Sequence, residues 1–210
     1  MAAGAGQGRA LAGTRTLGPR PTVALDLVEA ARALMWDSGA PVFTVTQVVA
    51  AAGTSLKSFY RCFESKDELL VALFEDDARR GAEALAGAVA HYDEPVARVR
   101  CAVVGLFGFI TLDGRLPYAA ALVREHLRLS ESRPEELRAV LQPFVDLLGA
   151  ELENASRAGA MAVGDPARMA RTLFHLVVSH LHALICHQIE ETPTEVADEL
   201  WAFCAAALRP

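Results

Sequence analysis

The segment 44–68 constrains the fold more than any other part of the chain, because hydroxyl residues and a glycine divide it into short helical pieces. Thr44 stands three residues before Gln47, which is the spacing of a capping box and predicts a helix that begins at Val45. Gly53 is expected to end this helix, since glycine readily takes the left-handed backbone conformation of a helix C-terminus. The segment therefore opens with one short helix and a tight turn.

A second short helix follows the glycine turn. Ser55 is its expected N-cap, and the helix should run from residue 56 to about 62. Ser65 and Glu68 have the spacing of another capping box and predict a longer helix from residue 66. Two short helices joined by a glycine turn are the parts of a helix-turn-helix, whose second helix enters the DNA major groove. The alternative is a helical hairpin with a capped, solvated face, and a generic pattern does not separate the two.

The side chains of the second helix suit contact with DNA. Hydroxyls, cations and a tyrosine hydroxyl are the groups that reach phosphates and base edges. Phe59 and Phe63 lie four residues apart and are expected to point inward and fix this helix to its neighbours. The expected DNA contacts are Thr44, Ser55, Leu56, Lys57, Ser58, Tyr60, Arg61 and Lys66.

This segment resembles the signature of the tetracycline-repressor (TetR) family of bacterial transcriptional regulators, over residues from about 25 to 74. Thr54 and Cys62 depart from the usual pattern, which has Val and His there. The resemblance implies a three-helix DNA-binding head and a helical body that binds a ligand and dimerises through its last two helices. The matching positions are Thr44, Ala52, Gly53, Ser55, Tyr60, Phe63, Lys66, Glu68, Leu69 and Leu70.

The composition favours an all-α fold. Of the 210 residues, 52% are hydrophobic and 22% are charged, which indicates a globular chain, and no alternating valine- or threonine-rich segment predicts a strand. No apolar run reaches the length of a membrane span, and the N-terminus lacks the apolar core of a signal peptide. We therefore expect a cytoplasmic protein with no membrane partner.

The net charge of −6 hides an asymmetry along the chain. Residues 1–66 contain seven Lys/Arg and four Asp/Glu, whereas the remainder contains 13 and 22. A positive head on an acidic body is typical of a DNA-reading module joined to a larger domain. We assign residues 1–19 to a disordered basic tail, 20–66 to the DNA-binding domain and 67–210 to the ligand-binding and dimerisation domain. The alternative for the tail is a basic arm that enters the minor groove.

Start and stop signals divide the chain into about nine helices. Gly39 should end the first helix, and Asp113-Gly114 should form a turn. Ser132 with Glu135, and Thr192 with Glu195, have capping-box spacing. Besides the two short helices, the expected spans are about 22–38, 66–91, 96–112, 116–129, 133–158, 166–190 and 193–208.

The body is expected to hold a small-molecule effector, because ligand sites in helical bundles form between the helices. The helix 96–112 is apolar nearly all round, and its Gly105 and Gly108 favour close helix packing. In the resembled family this helix and the next three enclose the inducer cavity. The expected wall residues are Phe107, Tyr118, Leu122, Phe144, Leu148, His175, Ser179 and His182.

Four histidines on the helix 166–190 raise an alternative function. His180 and His187 share one stripe and are expected beside a subunit interface. The alternative is a metal- or redox-sensing regulator of the same fold, which would use the second stripe of this helix, where His175 and His182 lie. A metal site needs three or four converging ligands. The two pairs of histidines face different directions, so no metal and no other cofactor is expected. The residues of this alternative are His175, His182 and Cys186.

These features together predict a transcriptional regulator and not an enzyme. Cys186 or Ser179 could pair with a nearby histidine, but the sequence supplies neither an oxyanion hole nor a third orienting group. We expect a homodimer that binds a palindromic operator in double-stranded DNA through two heads. A ligand in the body would change the separation of the two heads, because the helix 66–91 links body and head. The expected function is therefore that of a repressor released from DNA by a small apolar or amphipathic molecule.

Overall fold

The computed structural model describes residues 22–38, 43–111 and 116–209, and within these ranges it contains nine α-helices and no strand. The predicted all-α class is confirmed. The basic tail and the turns expected at Gly39 and at Asp113-Gly114 lie outside the described residues. The helices are α1 (Thr22–Ser38), α2 (Val45–Ala51), α3 (Leu56–Cys62), α4 (Lys66–Val89), α5 (Pro95–Thr111), α6 (Leu116–Ser132), α7 (Pro134–Arg157), α8 (Pro166–Ile185) and α9 (Pro193–Ala207).

The two short helices begin and end where their caps predict. Thr44 Oγ1 accepts the Gln47 N–H at 3.2 Å, and Gln47 Oε1 accepts the Thr44 N–H at 2.8 Å, which completes the capping box of α2. Gly53 has a φ of +61°, so the turn uses the left-handed conformation. Ser55 caps α3 by accepting the Ser58 N–H at 3.1 Å. The predicted helix-turn-helix geometry is therefore confirmed.

The head packs around the inward face of α3. Phe59 is fully buried and Phe63 nearly so, and their ring centroids lie 5.8 Å apart. Apolar residues of α1, α2 and the start of α4 surround these two rings. The buried residues of this group are Leu27, Val28, Met35, Val48, Val49, Leu69 and Leu70. Because α4 contributes to this core, the head is joined directly to the helix that enters the body.

Two of the predicted capping boxes differ in the structure. Ser65 caps α4 by accepting the Glu68 N–H at 3.2 Å, but Glu68 Oε2 accepts the N–H of Glu64 rather than that of Ser65. The prediction for Ser132 is wrong, because α6 continues through Ser132 and the N-cap of α7 is Arg133, which makes no side-chain cap. Pro134 at the first position of α7 sets the helix start through its fixed φ.

Helix α8 ends at Ile185, five residues earlier than predicted. His187 takes the left-handed conformation with a φ of +52°, and the Gln188 N–H bonds to the Ala183 carbonyl at 2.9 Å. This closing pattern is typical of a helix C-terminus. The connection to α9 is therefore longer than the sequence suggests, and Thr192 caps α9 with the predicted capping box.

In the body, α4 packs against α5 and α7, α8 packs against α7 and α5, and α9 packs on α5. Gly81 on α4 allows two aromatic rings to approach the helix. A Cβ atom at this position would lie 2.8 Å from Phe109 Cε1 and 2.8 Å from Phe144 Cζ. Gly105 on α5 packs in the same way, since its Cβ would lie 2.5 Å from Leu85 Cδ1. Close helix packing therefore accounts for Gly105, as predicted.

We predict that Gly81→Ala lowers the free energy of unfolding relative to Gly87→Ala on the same helix. Both substitutions gain about 1 kcal/mol of helix propensity. Only the first overpacks the core, at a cost of about 1–3 kcal/mol, since a Cβ at Gly87 meets nothing within 4 Å. Urea denaturation followed by circular dichroism measures both. Equal stability of the two variants would contradict the packing described here.

Candidate DNA-binding face and ligand cavity

Helix α3 presents a cationic face to solvent. Lys57 and Arg61 are exposed, and neither forms an ion pair with any residue that the structure describes. Tyr60 is 60% exposed and Leu56 is 46% exposed, although both are large apolar side chains. An exposed face that combines unpaired cations, a tyrosine and a leucine has the groups that contact phosphates, base edges and thymine methyls.

The neighbours of this face hold it in place. The Tyr60 ring stands edge-on to the buried Phe59 ring, with centroids 5.2 Å apart. Lys66 Nζ lies 4.4 Å above the centroid of the Phe43 ring, which brings the start of α4 beside Thr44 at the start of α2. Ser55 and Ser58 are in contact with each other at 3.1 Å between their hydroxyl oxygens. The predicted DNA contacts thus lie on α3 and at the N-termini of α2 and α4.

A cavity of about 480 Å³ lies between α1, α4, α5, α6, α7 and α8. Three of the predicted wall residues, Tyr118, Leu122 and Phe144, line it. Most of the wall is aliphatic or aromatic, as expected for a small-molecule site in a helical bundle. The further apolar wall residues are Trp36, Phe74, Ala78, Ala84, Leu106, Phe109, Val123, Leu141, Phe174, Val177, Val178 and Leu181.

Polar groups of the same wall join the head to the body. Arg32 of α1 donates from Nε to Asp77 Oδ1 at 2.8 Å and from Nη2 to Asp76 Oδ2 at 2.7 Å, both on α4. The Tyr118 hydroxyl of α6 donates a short hydrogen bond to Asp77 Oδ2. Arg32, Asp77 and Tyr118 line the cavity. We call these three residues the head–body joint, because they connect α1, α4 and α6.

Burial shapes the titration of the head–body joint. It raises the pKa of Asp77, although the Tyr118 hydroxyl and Arg32 oppose the effect. Burial and the neighbouring Asp77 carboxylate raise the pKa of Tyr118 far above its ordinary value, so Tyr118 remains a hydrogen-bond donor. For Arg32, burial is outweighed by its contacts with Glu29, Asp77 and Asp76, and its pKa is raised. The guanidinium therefore stays charged inside the structure.

Two more charged or titratable groups lie in the cavity wall. Arg80 is half exposed and donates from Nη2 to Glu29 Oε1 at 2.6 Å, and its Nε lies 2.9 Å from Asp76 Oδ2. His126 packs edge-on to Phe74 with ring centroids 6.5 Å apart. Burial, with a smaller effect of His175, lowers the pKa of His126, so its imidazole is neutral at pH 7.

Two other predicted wall residues lie away from this cavity. Phe107 is buried on α5 and lines a second cavity, also of about 480 Å³, between α5 and α9. The two cavities share Ala84 and Phe109 in their walls. Leu148 of α7 is buried in the core and belongs to neither wall.

The predicted residues of α8 lie on a different stripe from the cavity wall. The wall of α8 repeats every three or four residues from Phe174 to Leu181, and the stripe with His175, Ser179 and His182 is rotated by about 100° from it. His175 and Ser179 are exposed and His182 is half buried. The structure therefore places these three side chains outside the cavity, in contrast to their expected position.

The residues of the metal- or redox-sensing alternative do not form a cluster. Cys186 Sγ lies 3.4 Å from His182 Nε2, while His175 is almost two turns earlier on the helix. Among the residues placed by the structure, no group of three or more His, Cys, Asp or Glu could hold a metal ion. The observed contact is a pair between one thiol and one imidazole.

The surface of α9 bears on the predicted dimer. Phe203 is 61% exposed and Trp201 is half buried, while Val196 and Leu200 are buried within the chain. Of these four apolar residues, only Phe203 and part of Trp201 are accessible to a partner. Separately, none of the described helices is both long and apolar enough to span a membrane.

Sequence reasoning missed Arg32 and Asp77, although a signal is present. Arg32 lies within the run of buried positions Val28, Ala31 and Met35 on α1, and Asp77 lies directly before the buried Ala78 on α4. A charged residue on an apolar helix face requires a partner of opposite charge, because an unpaired buried charge is costly. An arginine on the apolar face of α1 and an aspartate on that of α4 are therefore expected to meet.

Comparison with known proteins identifies the head and the fold. Residues 27–73 match the family model described as "Bacterial regulatory proteins, tetR family". The chain is also similar in structure to FadR from Bacillus subtilis, which was solved in complex with stearoyl-CoA: the TM-score is 0.71 at 14% identity, over 85% of this chain and 95% of that one. No curated protein matches the sequence.

Two further solved structures share the fold. FadR from Bacillus halodurans, a fatty acid degradation regulator, gives a TM-score of 0.69 at 15% identity over 88% of this chain and 95% of that one. AibR, solved with isovaleryl coenzyme A and operator DNA, gives 0.60 at 20% identity over 86% and 97%. At these identities the likeness shows a common fold.

We predict that Tyr118→Phe destabilises the protein more than Tyr92→Phe does. Removal of the Tyr118 hydroxyl leaves Asp77 Oδ2 without its donor in a buried position, which costs about 1.5–3 kcal/mol. Tyr92 is 47% exposed, and its hydroxyl has no hydrogen-bond partner among the residues that the structure describes. The free energy of unfolding of Tyr92→Phe should therefore fall by less than about 0.5 kcal/mol. Urea denaturation measures the difference, and equal losses would contradict the assigned role of Tyr118.

Proposed function

Because residues 27–73 match the family model of the tetR bacterial regulatory proteins, we propose that the chain represses transcription from a palindromic operator and is released by a small apolar or amphipathic ligand. Its general class, a DNA-binding transcriptional regulator, follows from the family. The operator, the sign of regulation and the ligand are parts of the proposal.

The exposed face of α3 is the observation that supports the proposal most. Lys57, Tyr60 and Arg61 project from a helix whose other side is anchored by the buried Phe59. A helix held in this way can enter the major groove without rearrangement of the core. Ser55, Ser58, Thr44 and Lys66 then lie at helix N-termini, where backbone amides and the helix dipole also favour phosphate.

A homodimer through the last two helices is proposed for the assembly. One short helix reads only a few base pairs, so two heads related by a two-fold axis match a palindrome. The exposed Phe203 and the half-buried Trp201 of α9 offer apolar surface for a partner copy. Burial of such side chains in an interface is favourable by the hydrophobic effect.

The proposed ligand occupies the main cavity, which α1, α4, α5, α6, α7 and α8 enclose. Its aliphatic and aromatic wall fits an alkyl or aryl body. The structures of FadR with stearoyl-CoA and of AibR with isovaleryl coenzyme A support a choice of acyl-bearing molecules as probes. A ligand that reaches the head–body joint affects the contact of α1 with α4, and thereby the position of the head.

Release requires a ligand that prefers one conformation of the protein. Reversal of a 99:1 preference between DNA-binding and released states needs about 5.5 kcal/mol of differential binding. The head–body joint is the point where the ligand and the head share residues, since Arg32 belongs to α1 and also lines the cavity. Contacts made or broken there act on the head directly.

We predict that Lys57→Ala and Arg61→Ala weaken binding to DNA from upstream of the gene. Each substitution removes a cation that is expected to neutralise one phosphate, so the slope of log affinity against log salt should fall in magnitude by about 1. Fluorescence anisotropy over a range of salt concentrations measures this slope.

Arg138→Ala provides a matched control for these variants. Arg138 is exposed on α7 and pairs only with Glu135 three residues away, so its removal also subtracts one positive charge but leaves α3 intact. Its salt slope should equal that of the wild-type protein. If the wild-type protein retards no upstream fragment at low salt, or if all three variants bind alike, the proposed function is wrong.

A further inference from the structure

The charged side chains of the main cavity wall are concentrated where the head meets the body. Among the described wall residues, Arg32, Asp77 and Arg80 are charged, and Tyr118 lies between Asp77 and Trp36. The Trp36 and Tyr118 ring centroids are 5.6 Å apart. A polar end of a ligand in this apolar cavity therefore finds its charged partners at the head–body joint and at Arg80.

Arginines outnumber carboxylates among the side chains that line this wall. Two guanidinium groups face one carboxylate, and the His126 imidazole is neutral because burial lowers its pKa. Asp76 and Glu29 balance the arginines from outside the wall. A ligand inside the cavity thus meets one more positive than negative side chain.

The hydrogen bonds within the joint also favour an anion. Both carboxylate oxygens of Asp77 are engaged, Oδ1 by Arg32 and Oδ2 by Tyr118, so a ligand cation would have to displace one of these donors. Arg80 uses Nε and Nη2 for Asp76 and Glu29, and its Nη1 donates no hydrogen bond to the residues described. A free guanidinium nitrogen at the cavity wall is a ready donor to a carboxylate.

We propose that the cavity takes an amphipathic carboxylate, with its alkyl or aryl body against the apolar wall and its carboxylate bound by Arg80 and the Tyr118 hydroxyl. This inference rests on the proposed function and names the chemical class of the effector. The ligand carboxylate competes with Asp77 for the Tyr118 proton and places a second negative charge beside Asp77. Like charges in a buried site repel strongly, so binding loosens the contact of Asp77 with Arg32 of the head.

Trp36 provides the measurement, because it lines the cavity and the chain has only one other tryptophan, Trp201. The full-length Trp201→Phe protein is titrated with decanoate, methyl decanoate and decylamine, and the Trp36 emission is followed. We expect decanoate to bind at least tenfold more tightly than the ester and the amine, since a charge-assisted hydrogen bond is lost in both. The same titration with hexanoate and myristate tests a shorter and a longer alkyl chain against the size of the cavity.

Arg80→Gln and Arg79→Gln form a matched pair for the same titration. The two arginines are neighbours on α4, both about half exposed, and both pair with Asp76, but only Arg80 lines the cavity. Arg80→Gln should weaken decanoate binding about tenfold and leave the ester unchanged, whereas Arg79→Gln should leave both unchanged. Circular dichroism verifies that each variant remains folded.

Three results would overturn the inference: equal affinity for decanoate and its ester, equal losses in the two arginine variants, or no saturable change of Trp36 emission at any of the three chain lengths. Binding of ligand-free protein to upstream DNA is measured separately. Loss of that binding would contradict the proposed function, while the charge preference would still be read from Trp36 in the absence of DNA.

Discussion

One largely buried guanidinium, that of Arg32, joins the head to the body. It lies on α1 and meets carboxylates of α4, while Tyr118 of α6 completes the hydrogen bonds of Asp77. A buried ion pair gives little net stability, but loss of one partner leaves an uncompensated charge and is strongly unfavourable. The joint therefore permits few orientations of α1 relative to α4 and α6. It specifies geometry more than it adds free energy.

A second polar contact joins α6 to α4 closer to α3. Arg128 of α6 donates to both oxygens of Asp67 at 2.6 and 3.0 Å, and this hydrogen bonding lowers the pKa of Asp67, which is in the first turn of α4. Helix α6 thus contacts α4 near the head through Arg128 and at the cavity through Tyr118. Both contacts belong to one helix, so α6 connects the start of α4 with the cavity wall.

The sequence predicts the features that depend on a few consecutive residues. The caps at Thr44, Ser55 and Thr192 need only a side chain and an amide within three positions, so α2, α3 and α9 begin as expected. The cap at Ser132 fails because Pro134 sets the start of α7 instead. The cavity wall depends on how each helix is rotated against its neighbours. Periodicity alone does not decide which of two adjacent stripes of α8 faces the cavity. Arg32 and Asp77 are brought together from positions 45 residues apart, which no local pattern reveals.

The ion pairs also explain how an acidic chain can present a cationic face. In the body and along α4, arginines such as Arg80, Arg98 and Arg128 are held by carboxylates, so their charges are balanced locally. Lys57 and Arg61 on α3 form no such pairs among the described residues and keep their full effect on an approaching phosphate. The excess carboxylates of the body repel DNA, and this repulsion favours encounters that begin at the head. Net charge and DNA binding are therefore compatible, because the two signs occupy different parts of the chain.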